Sequence, residues 1–282
     1  MRIHNNTRCD IGRTLLFLLI HTLFAIAAIA GTDSVTSYWD TGNSSDQTRV
    51  DHSQWQKFLD HYLYQTKGDR TLVDYKNVDA SGYQELESYI QHLARLDPRD
   101  FNPAEQMAYW INLYNALTVK VVLDNPDKTT ITKMGSGLLS FGPWNEDQLT
   151  ITSQSLSLND IEHRILRPIW KDDRIHFALN CASLGCPNLD PFVFNAGDLE
   201  ERLNKARSQY LGHPRALHFD SRGILHVSSL FQWYLDDFAK DETALLLYLA
   251  NHRPGLREQI LSYAGDISYD YDWDLNSLSG KR

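Results

Sequence analysis

Residues 174–187 read Arg-Ile-His-Phe-Ala-Leu-Asn-Cys-Ala-Ser-Leu-Gly-Cys-Pro, and this stretch decides how the rest of the chain is interpreted. Apolar side chains alternate along residues 175–179, which predicts a short strand with one buried face and His176 on the other. The small and polar residues that follow, with a glycine and a proline, are typical of a turn. The sequence therefore predicts a strand that carries His176 and leads into a turn containing Cys181 and Cys186.

The distance between His176 and Cys181 depends on where the chain turns. In a fully extended strand, the two Cα atoms would lie about 16 Å apart, which no imidazole can span. Contact between the ring and the sulfur therefore requires the chain to fold back near Asn180. Cys186 is the other candidate, because the bend at residues 183–185 could bring it back toward the ring.

Three chemistries remain open for these residues. Cys181 could be a nucleophile whose thiolate is formed by His176, with backbone amides of the turn as an oxyanion hole. Cys181 and Cys186 could instead form a disulfide that closes a small loop, as suits an exported protein. A zinc site built from His163, His176 and a cysteine is the third, but its spacing matches no standard ligand pattern. The residues alone favour the disulfide.

Two asparagines mark a predicted helix upstream of this stretch. The helix has Asn102 as its cap and Pro103 at its first position, and its apolar residues continue to about Leu123. Asn112 and Asn115 lie three residues apart on one face, among small residues that let another backbone approach. They could tie a loop to the helix or orient a catalytic group, and the spacing favours the loop.

Glu162 is a further candidate site residue. A short helix is predicted from Ser157 to just before Pro168, and i, i+3 and i+4 spacing places Glu162 on its apolar face. A carboxylate in that position needs a partner. The structural interpretation is a buried pair with Arg164 or Arg167, and the functional one is a carboxylate that orients a catalytic histidine.

The N-terminus predicts export. Residues 1–30 combine three arginines, an apolar run and a small-residue end, which is the pattern of a cleavable signal peptide. Residues 31–52 are polar and lack periodicity, so they predict a flexible leader. We interpret residues 53–282 as one domain, with a helical N-terminal lobe at 53–123 and an α+β part at 124–282.

Net charge narrows the choice of partners. Removal of residues 1–30 changes the formal charge from −9 to −11, because three arginines and one aspartate are lost. Nucleic acids and anionic membrane surfaces need a basic face, so the acidic charge argues against both. The apolar run near the N-terminus is short for a membrane span, so no stable membrane insertion is expected after cleavage. No pattern predicts the oligomeric state.

Five segments together resemble the exported bacterial members of DUF547, a family of unknown function, in the family's order. These segments are residues 108–118, 158–167, 174–187, 233–238 and 271–276, within a similarity that runs from about residue 55 to 276. The resemblance implies a family signature made of Asn112, Asn115, Glu162, His176 and the cysteine turn. It also implies a loose similarity to papain- or transglutaminase-type thiol hydrolases, which favours a Glu-His-Cys arrangement with Cys181 as nucleophile.

We therefore expect an α+β fold, mostly helical, with a small antiparallel sheet that carries His176, and the resemblance implies a papain-like form. The expected function is a periplasmic cysteine hydrolase or acyltransferase that acts on an amide or thioester of a small peptide or thiol-containing substrate, without cofactor or metal. Glu162 would orient His176, and His176 would deprotonate Cys181. The supporting residues would be Asn112, Asn115, Asn180 and Cys186. The alternative is a non-enzymatic, disulfide-stabilised binding module.

Overall fold

The computed structural model describes residues 32–137 and 141–278, and it confirms an α+β fold that is mostly helical. The predicted signal peptide at residues 1–30 lies outside the described residues. Within them, no helix combines the length and the apolar character needed to cross a membrane.

In the described residues, four α-helices come before the cysteine turn in the first half of the chain. They are α1 (Thr32–Trp39), α2 (Ser53–Tyr62), α3 (Ala80–Ala94) and α4 (Pro103–Leu123). The predicted bounds of α4 are confirmed, because the Asn102 side chain accepts a hydrogen bond from Glu105 N at 3.1 Å and caps the first turn. Almost every side chain of α4 is buried, so this helix forms the centre of the N-terminal core.

Most of the later helices span only four or five residues. A π-helix at Asp160–Leu166 runs directly into α5 (Arg167–Trp170), so the predicted helix continues past Pro168. The others are α6 (Ile175–Ala178), α7 (Leu199–Gly212), α8 (Ser229–Trp233), α9 (Leu235–Phe238), α10 (Glu242–His252) and α11 (Arg257–Leu261). Short 3-10 turns occur at Tyr75–Asn77, Pro98–Asp100, Ile131–Lys133 and Pro254–Leu256.

Three small sheets complete the fold. β1 (Leu63–Gln65) pairs antiparallel with β2 (Thr71–Val73), and β3 (Asp147–Ile151) pairs antiparallel with β4 (Gln154–Ser157). β5 (Leu217–Phe219) and β6 (Leu225–Ser228) form an antiparallel hairpin. β7 (Ser268–Asp270) adds to β6 in parallel, which brings the C-terminal segment back to the middle of the molecule.

The predicted strand at residues 174–180 is wrong. The segment forms one helical turn, α6, in which Ile175 N donates to Asp172 O at 3.2 Å. Asp172 starts this turn because its carboxylate also accepts from Arg174 N at 2.9 Å. Every residue from 175 to 180 is buried, so the alternation of apolar side chains in the sequence does not correspond to one buried and one exposed face. The histidine of this segment therefore lies on a helical turn and not on a sheet.

The segment expected to be a flexible leader packs on the domain. Trp39 at the end of α1 is fully buried, and its ring meets that of Trp110 edge-on with centroids 5.1 Å apart. Its backbone oxygen accepts a hydrogen bond from the Gln106 side chain at 2.9 Å. The polar composition of residues 31–52 concealed this contact, because Trp39 is the one apolar side chain of the described part of this segment that is fully buried.

Two hydrophobic cores meet at α6. Ile175 and Ala178 belong to the core built around α4, whereas Phe177 belongs to the core formed by α7, α8, α10 and the β5–β6 hairpin. His176 is 3% exposed and lies between these two cores. The short helix therefore joins the two halves of the domain and delivers the chain to the cysteine turn.

Candidate functional site

The two cysteines lie side by side. Their sulfurs are 2.6 Å apart and both thiols are free. Cys186 is 4% exposed, whereas Cys181 is partly exposed. The backbone N–H of Cys181 also donates to Cys186 Sγ at 2.8 Å, so the turn holds the second sulfur against the first residue.

Asparagine side chains fix the conformation of this turn. Asn180 Oδ1 accepts from Ala182 N at 3.0 Å, and Asn180 Nδ2 donates to Pro187 O at 2.7 Å, so one side chain closes both ends. Ala182 has a φ of 57°, in the left-handed region, which folds the chain back directly after Cys181. The predicted reversal near Asn180 is therefore present.

Asn115 connects the turn to the central helix. Its Nδ2 donates to Ala178 O at 3.0 Å, and its Oδ1 accepts from Asn180 N at 2.9 Å. Asn112 makes the same pair of bonds with Phe194, at 2.7 and 3.1 Å. Both asparagines tie a loop to α4, as their spacing favoured, and only Asn115 holds the cysteine turn.

The C-terminal segment lies against the other side of the turn. Gly185 N donates to Asp272 O, and Leu184 N donates to Asp274 O, both at 2.8 Å. A Cβ on Gly185 would lie 2.9 Å from Asp272 N, so the close approach of the two backbones requires glycine. This packing brings Tyr271 to the sulfurs.

Two hydroxyl groups surround the Cys181 sulfur. The Tyr271 hydroxyl lies 3.1 Å from Cys181 Sγ, and the Ser183 hydroxyl lies 3.3 Å from it. Ser183 Oγ also lies 3.1 Å from the phenolic oxygen of Tyr271, and its single proton serves either that oxygen or the sulfur. Donors around a sulfur favour its thiolate form.

The two thiols differ in acidity. Burial raises the pKa of the Cys181 thiol, but hydrogen bonds from Cys186, Ser183 and Tyr271 outweigh burial, so the pKa lies below its ordinary value. Burial, reinforced by Cys181, raises the pKa of the Cys186 thiol well above its ordinary value. Cys181 therefore ionises first, and it is also the more exposed thiol.

His176 faces carboxylates and not a thiol. Its Nε2 lies 2.6 Å from Asp237 Oδ2, its Nδ1 lies 3.9 Å from Glu162 Oε1, and its ring stacks on Tyr234 at 4.3 Å. Across residues 32–137 and 141–278, the hydrogen-bond partners of Cys181 Sγ include no imidazole. The predicted residues are thus gathered in one region, but no hydrogen bond links His176 to Cys181.

Glu162 is buried, as its place on an apolar helix face predicted. It is 8% exposed and accepts a hydrogen bond from the Tyr114 hydroxyl at 3.0 Å. Burial raises the pKa of the Glu162 carboxyl, but His163, His176 and Arg167 outweigh burial and lower it. The carboxylate therefore stays charged beside the His176 ring.

Asp237, like Tyr271, is a site residue that the sequence did not predict. It accepts from both His176 Nε2 and Arg167 Nε at 2.6 Å. Partial burial raises the pKa of the Asp237 carboxyl, but these two hydrogen bonds hold it far below its ordinary value. Two adjacent aspartates in the 233–238 segment were the available signal, and nothing in the sequence separates Asp237 from Asp236.

Five backbone amides of the turn, which was proposed to supply an oxyanion hole, already have acceptors within the protein. These amides belong to Cys181, Ala182, Leu184, Gly185 and Cys186. In the described part of the chain, no group of three or more histidine, cysteine or acidic side chains is placed to hold a metal ion.

The fold and the site define a helix-rich α+β protein with two adjacent thiols and a buried histidine–carboxylate cluster. Residues 98–211 match the family model described as "Protein of unknown function, DUF547", which supports the DUF547 family for this chain. The matched segment contains the candidate residues from Asn112 to Cys186, whereas Asp237 and Tyr271 lie beyond it. No match to a curated protein or to a solved structure was found.

Proposed function

We propose that the protein is a thiol–disulfide oxidoreductase in which Cys181 attacks and Cys186 resolves. The observation that carries the proposal is the contact between two free sulfurs, 2.6 Å apart. A partly exposed thiol with a lowered pKa is suited to attack a disulfide, and a buried thiol with a raised pKa stays protonated until the second step. This chemistry needs neither an imidazole at the sulfur nor an oxyanion hole.

In the first step, the Cys181 thiolate attacks one sulfur of a substrate disulfide. A mixed disulfide forms, and the other substrate sulfur leaves with the bonding electron pair. Cys186 then loses its proton, attacks Cys181 Sγ and expels the second substrate sulfur. The two leaving thiolates take up the protons that the cysteines lose. The protein is oxidised by two electrons to the 181–186 disulfide, and the substrate disulfide is reduced to two thiols.

Tyr271 supports the first step by stabilising the thiolate. Burial, Cys181 and Cys186 raise the pKa of the Tyr271 hydroxyl well above its ordinary value, so the phenol stays protonated. A protonated phenol 3.1 Å from Cys181 Sγ donates to the thiolate, which cannot donate in return.

A second candidate is a cysteine hydrolase or acyltransferase that acts on an amide or thioester of a small peptide. The observation that favours it is His176, which is buried with each ring nitrogen facing a carboxylate, Asp237 at 2.6 Å and Glu162 at 3.9 Å. A carboxylate that orients a histidine is typical of a general base. His176 would have to come within hydrogen-bond reach of Cys181 when substrate binds, as contacts in unliganded sites can tighten.

We propose the periplasm or the extracellular space as the compartment, on the basis of the signal pattern at residues 1–30. Disulfides persist in those compartments, so substrates with disulfides are present there. The proposed substrate is a small peptide or protein disulfide. The acidic charge argues against nucleic acid and anionic membrane partners.

The test uses the full chain with Cys9→Ser, so that Cys181 and Cys186 are the only thiols, and an aromatic disulfide reagent, DTNB. The reduced protein is expected to release two equivalents of thionitrobenzoate and to retain none, because Cys186 displaces the group bound to Cys181. Cys186→Ser should release one equivalent and retain one. Cys181→Ser should react at least about tenfold more slowly, because the remaining thiol is buried and its pKa is raised.

The other results point to other functions. A stable adduct on the protein that keeps both cysteines would contradict the resolving role of Cys186. A 181–186 disulfide that mass spectrometry finds intact after treatment with reductant would identify a structural disulfide and support a binding module. Acylation of Cys181 by a thioester in Cys186→Ser, lost on His176→Ala, would support the hydrolase.

A further inference from the structure

A pocket of about 290 Å³ lies next to the cysteine turn and is lined by two arginines from distant parts of the chain. Arg70 lies in the connection between β1 and β2, and Arg215 lies between α7 and β5. Gly185 and Tyr271 form the wall nearest the turn, and neither cysteine lines the pocket. We propose that this pocket binds the oxyanion group, a carboxylate or a phosphate, of a small ligand.

Neither guanidinium forms an ion pair within the described residues. Arg215 Nη2 donates to Asn188 Oδ1 at 2.7 Å, but its Nε is buried without a hydrogen-bond partner. Within the described residues, the Arg70 side chain makes no hydrogen bond and no ion pair. Planar guanidinium donors that converge without a carboxylate are the groups that bind carboxylate or phosphate in two-point fashion.

Asn188 holds the two arginines close together. Its Oδ1 accepts from Arg215 and also from Thr71 N at 3.2 Å, while its Nδ2 donates to Asp69 O at 2.6 Å. Arg70 lies between Asp69 and Thr71, so one amide fixes both neighbours of Arg70 and the guanidinium of Arg215. The fold thus places like charges together and restrains them.

Within the described residues, no ion pair neutralises either guanidinium group, and the two groups repel each other. Burial lowers the pKa of the Arg215 guanidinium, and the nearby Arg70 lowers it further. Burial, Arg215 and Arg70 also lower the pKa of His213 to about 4. A bound anion would relieve this repulsion, which gives the pocket a preference for negative ligands.

The acidic residues of the lining are occupied elsewhere. Asp270 pairs with His226, and Asp272 Oδ1 accepts a hydrogen bond from the backbone of the same segment at 3.0 Å. Neither forms an ion pair with Arg70 or Arg215 in the described residues. The volume suits a small organic anion or the end of a peptide, and it is too small for an extended macromolecular surface.

The test is calorimetric titration of the full chain with inorganic phosphate and, separately, with succinate, at an ionic strength held constant with sodium chloride. Saturable binding of one or both anions is expected, and Arg70→Gln and Arg215→Gln should each weaken it at least about tenfold. Arg95→Gln removes an exposed arginine outside the pocket and should leave the affinity unchanged. The preferred anion separates phosphate ligands from carboxylate ligands.

Two results would overturn the proposal: no saturable binding of either anion, or unchanged affinity in Arg70→Gln. Because Arg215 is partly buried, thermal melting and circular dichroism of each variant establish that it is folded before titration. Cys181→Ser should bind the anion with unchanged affinity, so the test of the oxyanion pocket does not depend on the proposed thiol chemistry.

Discussion

The phenolic oxygen of Tyr271 lies 3.1 Å from Cys181 Sγ, although 90 positions separate the two residues. Tyr271 reaches the sulfur because the C-terminal segment follows β7 and then runs along the cysteine turn, where Gly185 N donates to Asp272 O at 2.8 Å. The acidity of Cys181 therefore depends on a residue far outside the turn that contains it.

Tyr271→Phe should slow the alkylation of Cys181. The change removes a hydrogen bond to the thiolate worth roughly 1.4 kcal/mol or more, so the rate with iodoacetamide near neutral pH should fall about tenfold. Measurement of the rate across pH should show the curve displaced to higher pH. Tyr269→Phe, whose hydroxyl donates to Glu242 at 2.9 Å, is the matched control. An unchanged pH profile for Tyr271→Phe would exclude the phenol as a thiolate donor.

Asn115→Ala should lower the stability of the protein and allow the cysteine turn to adopt more than one conformation. It leaves Ala178 O and Asn180 N buried without partners, at a cost of about 3 kcal/mol, which corresponds to a fall in melting temperature of roughly 6 to 12 °C. Asn112→Ala should cost a similar amount, because it unpairs Phe194 in the same way. Only Asn115→Ala should change the alkylation rate of Cys181, and equal rates in the two variants would contradict the positioning role.

Gly185→Ala should separate the turn from the C-terminal segment. The added Cβ would lie 2.9 Å from Asp272 N and 3.0 Å from Asp272 O, and backbone cannot yield as a flexible side chain can. A destabilisation of about 1 to 3 kcal/mol is expected, together with slower alkylation of Cys181. Gly255→Ala, where a Cβ meets nothing within 4 Å, should change neither the melting temperature nor the alkylation rate.

Asp237→Asn should weaken the contacts of His176 and reduce the fall in the free energy of unfolding at acid pH. The folded-state pKa of Asp237 is depressed, so its stabilisation is complete above the unfolded pKa of about 4 and is lost as pH falls further. Because the side chain is 29% exposed, the expected loss near neutral pH is only about 1 kcal/mol. Asp236→Asn should stay within about 0.5 kcal/mol, and urea unfolding across pH checks both variants.

His52→Gln should reduce the loss of stability on mild acidification. Burial lowers the pKa of His52 to about 4, and its Nδ1 lies 2.6 Å from the Tyr89 hydroxyl. Since the folded pKa is below the unfolded value of about 6.5, the wild-type protein should lose up to about 3 kcal/mol as pH falls between these values, with little further loss from this group below pH 4. In urea unfolding, His52→Gln should not show this loss of the free energy of unfolding between pH values of about 6.5 and about 4. An equally large loss in the variant would assign the effect to another group.

Several local features were predictable because short-range chemistry dictates them. Asn102 and Pro103 define the start of α4 through capping and the fixed φ of proline, so its bounds were correct. The spacing of apolar residues placed Glu162 on the buried face of its helix. The predicted strand at 174–180 failed because all its side chains from 175 onward are buried, so the alternation of apolar residues did not mark one buried and one exposed face.

The sequence by itself predicted the α+β class, the capped start of α4 and the burial of Glu162. Only the tertiary structure decided the partners of His176 and Cys181. His176 faces Asp237 and Glu162, while Cys181 contacts Cys186, Ser183 and Tyr271. The physical reason is that hydrogen bonds form over a few ångströms, here between segments that are far apart in the chain. A local sequence pattern therefore does not indicate which distant side chain will form the hydrogen bond that a buried polar group requires.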